Sequence, residues 1–201
     1  MIYDVPAIIA LARTCAPDIA TEAIVPLVVT ESGGDALRIN INKGPRVRVR
    51  SIAEGAAVVR RYIASGSTVD VGLAQINSMN FARLGVTIEE VFEPCANLRL
   101  ASLILQRSFA VASRYYAGID AISATYSLYN TGRLTRGFRN GYVGRLWSSA
   151  KSLGTIDRAP VLPGGGADAA DAPFPAPVSP TSRANDWVVG QLRPGTVQVF
   201  K

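Results

Sequence analysis

The sequence predicts a mainly α-helical domain that carries a small β-hairpin. Apolar residues recur at helical spacing in several segments, and helix-capping signals precede three of them: Asp4, Ser51–Glu54 and Thr87–Glu90. Residues 37–42 and 46–50 instead alternate with period two around Lys43-Gly44-Pro45, which predicts the hairpin. The chain has 201 residues, enough for one domain and an additional segment.

The individual elements follow from their start and stop residues. Prolines and glycines end most of the apolar-periodic stretches, and the capping residues begin them. The predicted helices cover about residues 5–13, 24–32, 52–65, 78–84, 88–93, 95–116, 119–129 and 141–153. Beyond these, residues 154–186 are rich in Pro, Gly and Ala, and residues 187–201 end in an apolar tip. We therefore expect a folded domain over 1–153, a linker over 154–186 and a short docking tail over 187–201.

One predicted helix places a carboxylate on its apolar face. Ile24, Leu27 and Val28 stand at positions i, i+3 and i+4, and the next position on the same face, i+7, is Glu31. Burial and the negative end of the helix dipole would both raise the pKa of this carboxyl, which suits a group that holds a proton near neutral pH. The alternative is a slightly rotated helix on which Glu31 is an ordinary surface residue.

The composition excludes several chemistries. The chain contains no histidine and only two cysteines, which excludes Ser-His, Cys-His and His-metal mechanisms and argues against a structural zinc site. We expect no metal and no cofactor. The formal net charge of +6 is compatible with nucleic acid, anionic lipid or an anionic polymer such as cell-wall material. The arginines of the predicted hairpin could face such a ligand or simply a solvated edge.

No membrane span or secretory signal is visible in the sequence. No stretch reaches the roughly 18 apolar residues of a membrane helix. The first residues, Met1–Pro6, lack the basic and apolar regions of a signal peptide. A cytoplasmic protein, a signal missing from this sequence and another export route all remain open at this point.

Three short motifs together resemble a known enzyme family. Glu31-Ser32-Gly33-Gly34, Gly72–Asn77 and Tyr129–Gly132, in this order and spacing, resemble the lytic transglycosylases of the lysozyme-like superfamily. The match is most specific to the peptidoglycan-cleaving component of bacterial type IV secretion systems, which Asp70 and the segments 92–98 and 137–143 also resemble. The resemblance covers about residues 1–150. Ala74 departs from it, since the family usually has methionine there.

The resemblance implies a lysozyme-like (α+β) fold and a reaction. One glutamate, here Glu31, cleaves the MurNAc–GlcNAc β-1,4 bond and leaves a 1,6-anhydro end. By position, Ser32 supports this base, Tyr129 orients it, and sugar groups are held by Gln75, Asn77 and Asn130. From spacing alone, Tyr129 could equally be a core aromatic residue and Asn130 a helix cap.

Two alternatives to this reaction stay open. A hydrolytic lysozyme-type muramidase would need a second carboxylate, for which Asp70 and Asp35 are the candidates. A non-catalytic basic module could bind cell-wall polymer or nucleic acid. Scattered arginines without interleaved aromatic residues argue against nucleic acid as a partner.

The cysteines and the tail complete the predictions. Cys15 precedes the Glu31 helix and Cys95 begins the longest one, so a disulfide between them would brace the site; two buried free thiols are the alternative. For a protein of this family we expect peptidoglycan strands as substrate and a periplasmic location. The apolar tail predicts docking to envelope proteins of a secretion system.

Overall fold

The part of the chain that the structure describes, residues 1–161 of a computed structural model, is mainly α-helical with a small antiparallel sheet, as the sequence predicts. The helices are α1 Val5–Cys15, α2 Thr21–Ser32, α3 Ile52–Ala64, α4 Phe81–Leu84, α5 Ile88–Phe92, α6 Pro94–Ala112, α7 Gly118–Thr131, α8 Arg136–Arg139 and α9 Tyr142–Ser152. The strands are β1 Ile39–Ile41, β2 Val69–Val71 and β3 Ile76–Asn77. The predicted docking tail, 187–201, and the predicted linker after residue 161 lie outside the described residues.

The hairpin was predicted in the wrong place. The sheet has the order β1-β2-β3, and its hairpin is formed by β2 and β3, whereas residues 46–50 belong to no strand. Strand β1 pairs with β2 instead, with Ile39 opposite Val71 and Ile41 opposite Val69. These four apolar side chains are all buried, while the arginines at 46, 48 and 50 are exposed. Pairing β1 with β2 therefore buries more apolar surface than pairing it with the arginine-rich segment.

Several helix ends differ by a few residues from the prediction. Helix α2 begins three residues early, which places Pro26 inside the helix and removes the N–H that would bond the carbonyl of Glu22. Helix α6 begins at Pro94, where a missing N–H costs nothing because first-turn amides have no partner within the helix. The four-residue helix α8 was not predicted.

Two of the three predicted capping signals form completely, and the third forms in part. Asp4 accepts a hydrogen bond from the Ala7 amide at 2.9 Å and caps α1. Both halves of the Thr87–Glu90 capping box are present at the start of α5. The Ser51–Glu54 box is only half formed, since Ser51 accepts from the Glu54 amide, but the Glu54 carboxylate accepts from the amide of Arg50.

The described chain forms two compact units. The first contains Met1–Pro17 and Leu27–Ser102, and the second contains Asp18–Pro26 and the chain from Leu103 onward. The first unit holds the sheet and the disulfide between Cys15, the last residue of α1, and Cys95 in the first turn of α6. This disulfide agrees with the pairing predicted from the sequence.

The second unit has an aromatic core. Trp147 packs edge-on against Tyr126 with their ring centroids 5.7 Å apart, and its indole N–H donates to the Ser123 hydroxyl at 3.0 Å. Burial raises the pKa of Tyr126 above its ordinary value, so this hydroxyl stays protonated and donates to the carbonyl of Ala23. Packing continues past the predicted domain end at residue 153, because Ile156 is only 5% exposed.

No helix within residues 1–161 is both long enough and apolar enough to cross a membrane.

Candidate active site

Glu31 lies in the last turn of α2, next to the end of the helix. Its side chain is half-buried, and the three residues preceding it on the same face, Ile24, Leu27 and Val28, are fully buried. The helix therefore has the rotation that the sequence predicts, with a carboxylate at the edge of an apolar face. Such a position combines partial desolvation with access from solvent, which a proton-transferring carboxyl needs.

Ser32 secures the helix end beside Glu31. Its hydroxyl donates to the carbonyl of Val28 at 3.2 Å and accepts from the amide of Gly34 at 3.1 Å. These two bonds join the last turn of α2 to the backbone of Gly34, which follows the helix. The observed contacts of Ser32 thus fix the backbone on which Glu31 stands.

Gln75 occupies the turn between β2 and β3 in a conformation that is uncommon for a residue with a side chain. Its φ is +52°, in the left-handed region. Its amide nitrogen donates to the carbonyls of Gly72 at 2.9 Å and Arg38 at 3.2 Å. Both N–H groups of the side chain are therefore engaged, and the amide oxygen is the atom left to accept a bond from a ligand.

Asp70 stands at the centre of an amide cluster on the exposed side of the sheet. Its Oδ1 accepts from the Asn77 side chain at 2.6 Å, and its Oδ2 accepts from the side chains of Asn40 at 2.9 Å and Asn42 at 3.3 Å. The register of the sheet sets up this cluster, because Asp70 lies between Asn40 and Asn77 across three strands. Asn77 is further fixed by its Oδ1, which accepts from the Met79 amide at 3.0 Å.

Asn97 bonds the backbone of the Gly72–Gln75 turn from the buried side. It is fully buried in α6, and its Oδ1 accepts from the amide of Ala74 at 2.8 Å. Its Nδ2 donates to the carbonyls of Val91 at 2.7 Å and Val71 at 3.0 Å. Gly72 must be glycine here, because its φ is +82° and a Cβ would lie 2.3 Å from Nδ2 of Asn97.

Tyr129 and Asn130 belong to the second unit, in the last turn of α7. Tyr129 is half-buried and Asn130 is exposed, so neither side chain is fully buried in the core. Asn130 accepts through Oδ1 from the side chain of Asn140 at 3.0 Å, and Asn140 in turn accepts from the amide of Tyr142 at 2.9 Å. Gly132, with a φ of +65°, ends the helix, so Asn130 is not the capping residue that spacing alone allowed.

Helix α8 is held tightly against α7. The hydroxyl of Ser127 donates to the Arg133 carbonyl at 2.6 Å and accepts from the Gly137 amide at 2.8 Å. A Cβ on Gly137 would lie 2.7 Å from the Cα of Ser127, so only glycine permits this approach. A surface cavity of about 560 Å³ adjoins α8, lined by Arg133, Thr135, Arg136, Arg139 and Asn140.

Comparison with known families identifies the chain. Residues 9–147 match the Transglycosylase SLT domain family, which is more than half of the sequence. The chain belongs to this family. The matched residues lie in both units and include Glu31, the segment Gly72–Asn77 and the end of α7. No solved structure matches the chain.

Curated relatives of this SLT-family chain carry names from type IV secretion. Protein virB1 of Rhizobium radiobacter is 35% identical over 144 residues, 71% of this chain and 60% of the relative. Protein virB1 of Agrobacterium fabrum is 36% identical over 149 residues, 71% of this chain and 58% of the relative. Type IV secretion system protein virB1 of Brucella abortus is 32% identical over 148 residues, 70% of this chain and 62% of the relative. The matched region thus spans about 60% of the length of these relatives.

Some residues of the site were not singled out from the sequence. Asn40 and Asn42 occupy alternate positions of a period-two segment, and that alternation was the available signal that their side chains lie on the same side of the chain. No local sequence pattern predicts the hydrogen bonds of Asn97 and Ser127. The bond from Ala74 to Asn97 spans 23 residues and the bond from Gly137 to Ser127 spans 10, so both depend on how the chain folds.

Proposed function

We propose that this SLT-family protein is a peptidoglycan lytic transglycosylase that cleaves the MurNAc–GlcNAc β-1,4 bond and leaves a 1,6-anhydro end. Family membership supports the reaction class, and Glu31 supplies a half-buried carboxyl at the edge of an apolar face. No histidine is present in the sequence to act as acid or base. A carboxyl group is therefore the natural proton carrier for this site.

A single carboxyl is sufficient for this reaction. Glu31 donates its proton to the glycosidic oxygen as the bond to C1 of the MurNAc residue breaks. The resulting carboxylate then takes the proton from the C6 hydroxyl of the same sugar, and that oxygen bonds to C1. The proton is returned to Glu31, no water is consumed, and the products are a shortened strand and an anhydro end.

The state of Asp70 is the observation that best supports this reaction over hydrolysis. A hydrolytic muramidase would use a second carboxylate to activate water or to bond C1. The Asp70 oxygens instead accept from three side-chain amides. Asp35, the other candidate, bonds the Leu37 amide at 3.0 Å. Both carboxylates have structural partners, which supports a mechanism that needs only Glu31.

The remaining site residues are assigned to substrate binding and positioning. Gln75 accepts a sugar hydroxyl or acetamido N–H through its amide oxygen, since its N–H groups are bonded to the backbone. Asn77 and Asn130 contribute amide groups to sugar binding. By position in the family motif, Tyr129 is assigned the orientation of Glu31, and Ser32 supports Glu31 by fixing the end of α2.

The decisive experiment identifies the product. The purified full chain is incubated with peptidoglycan, and the soluble fragments are analysed by mass spectrometry. Anhydro ends, which are lighter than reducing ends by one water, are expected from the wild type. Reducing ends would instead indicate a hydrolytic muramidase, and binding without any product would indicate a non-catalytic module.

A matched pair of variants tests the role of Glu31. Glu31→Gln keeps the shape of the side chain but cannot transfer the proton, so the rate should fall by about 100-fold or more. Glu93→Gln, an exposed residue outside the site, should leave the rate unchanged. If Glu31→Gln kept more than about a tenth of the wild-type rate, the assignment of Glu31 would be wrong.

We further propose a cellular role in opening the cell wall for assembly of a type IV secretion or conjugation system. The names of the virB1 relatives support this role, and the disulfide is typical of proteins from oxidising compartments, here the periplasm. Residues 187–201 would dock envelope proteins of that system. Pull-down of envelope partners with the full chain and with a chain ending at Val161 tests the docking, which predicts loss of partners from the shorter chain.

A further inference from the structure

The cavity beside α8 is lined mainly by positive charge. Three of its five lining residues are arginines, namely Arg133, Arg136 and Arg139, and all three side chains are exposed. Arg145 does not line the cavity, but it donates to the carbonyl of the lining residue Asn140 at 3.2 Å and lies over the Tyr142 ring at 6.0 Å. The positive potentials of these groups add in the cavity, which favours an anionic ligand.

The arginines that line the cavity have no acidic partner within residues 1–161. The ion pairs of the described chain join Arg60 to Glu89 and the amino group of Met1 to Asp35, and neither pair lies at the cavity. Arginine donates to carboxylates in a fixed two-pronged geometry, so guanidinium groups without acidic partners retain their donors for a ligand.

The backbone that carries these arginines is rigidly held. Ser127 bonds both the Arg133 carbonyl and the Gly137 amide, which fixes the chain on each side of Thr135. Arg136 and Arg139 are three residues apart in α8 and therefore lie on one face of its single turn. A preorganised arrangement of this kind loses less entropy when a ligand binds.

The cavity is also connected to a predicted sugar-binding residue. Asn140 lines the cavity, and its side-chain amide donates to Asn130 at 3.0 Å. Asn130 is the residue of α7 to which the proposed function assigns a sugar contact. An acidic branch on a glycan whose sugar lies at Asn130 would therefore be close to the arginines of the cavity.

We propose that the cavity binds the carboxylates of the peptide stems of peptidoglycan. These stems branch from the MurNAc residues and carry several carboxylates along a peptide backbone. Three separate guanidinium groups fit several acidic groups better than one small ion, and Thr135 and Asn140 offer hydroxyl and amide partners for peptide groups. The inference rests on the proposed function, because it takes the glycan as the substrate, and it adds recognition of the peptide.

The test compares two soluble ligands that the proposed reaction does not cleave. One is the disaccharide GlcNAc–MurNAc with a tetrapeptide stem, and the other is the same disaccharide without peptide. Binding to the full chain is measured by calorimetry for the wild type and for Arg136→Gln/Arg139→Gln. The control is Arg107→Gln/Arg114→Gln, which removes the same charge from two exposed residues that do not line the cavity.

The expected result is selective loss of peptide binding. Arg136→Gln/Arg139→Gln should bind the peptide-bearing disaccharide about tenfold more weakly, the equivalent of about 1.4 kcal/mol, while the control binds like the wild type. All three proteins should bind the peptide-free disaccharide equally. In the wild type, amide resonances of Arg136, Arg139 and Asn140 should shift on titration with the peptide-bearing ligand only, a readout that depends on no variant.

Other outcomes would overturn the inference. Equal binding by the cavity variant and the control would do so, as would displacement of the peptide-bearing ligand by an equal concentration of inorganic phosphate. A cavity variant that loses affinity for a DNA duplex but not for the peptide would assign the cavity to nucleic acid. If the wild type released no fragments from peptidoglycan but showed the expected binding, the proposed reaction would fail and the peptide site would stand.

Discussion

Replacement of Asn97 by alanine should destabilise the protein severely, although Asn97 is not one of the residues predicted to bind substrate. The side chain is fully buried and bonds the Ala74 amide and the carbonyls of Val71 and Val91 at 2.7–3.0 Å. Alanine removes all three of these bonds from a fully buried position. A buried group that loses its hydrogen bond costs about 1–3 kcal/mol, and because the three bonds share one side chain their losses add only in part, so a loss of about 3–5 kcal/mol is expected.

Thermal unfolding measures this loss directly. For a domain of this size 1 kcal/mol lowers Tm by about 2–4 °C, which predicts a decrease of about 6–20 °C for Asn97→Ala. Asn97→Asp should also be strongly destabilised, because it keeps the acceptor for Ala74 but loses both donors and buries a charge. Hydrogen exchange at the Ala74 amide should become faster in both variants, since the Gly72–Gln75 turn loses its support.

The matched control is Asn80→Ala. Asn80 is half-buried and accepts one bond from Arg83, so its removal should change the free energy of unfolding by no more than about 0.5 kcal/mol. Equal Tm values for Asn97→Ala and Asn80→Ala would refute the view that Asn97 holds the turn.

Three further predictions follow from the site and the end of the domain. Asp70→Asn should lower the free energy of unfolding by about 1–3 kcal/mol, because an amide cannot accept from all three asparagines. The variant should still keep more than a tenth of the peptidoglycan-cleaving rate, and a loss as large as that of Glu31→Gln would favour hydrolysis. Tyr129→Phe should lower the cleavage rate with little change in glycan affinity, and a loss confined to affinity would mean that Tyr129 contacts the sugar. A chain ending at Leu153 should melt below a chain ending at Val161, because only the longer chain keeps Ile156, whose burial contributes about 1.5–3 kcal/mol; equal Tm values would mean that Ile156 adds nothing to the core.

The sequence predicted those features that depend on neighbouring residues. The caps at Asp4 and Thr87 involve residues three positions apart, and the buried face of α2 follows from a spacing of three and four residues. The orientation of Glu31 at the end of that face was predictable for the same reason.

Features that join distant segments were not predictable in the same way. Strand β1 has a period-two pattern but nothing in it names β2, about 30 residues later, as the partner. The nearer, arginine-rich segment was therefore predicted as the partner, wrongly. The roles of Asn97 and Ser127 likewise depend on contacts that exist only after the chain has folded.

The disulfide has a consequence for the lifetime of the protein in different compartments. Cys15 and Cys95 are 80 residues apart, and the loop they close contains Glu31, the whole sheet and Gln75. Closing a loop of this length lowers the entropy of the unfolded chain by an amount worth about 4.5 kcal/mol, or about two-thousandfold in the ratio of folded to unfolded chains. In a reducing compartment the disulfide does not form, so the unfolded fraction that proteases can attack is about two thousand times larger than for oxidised molecules.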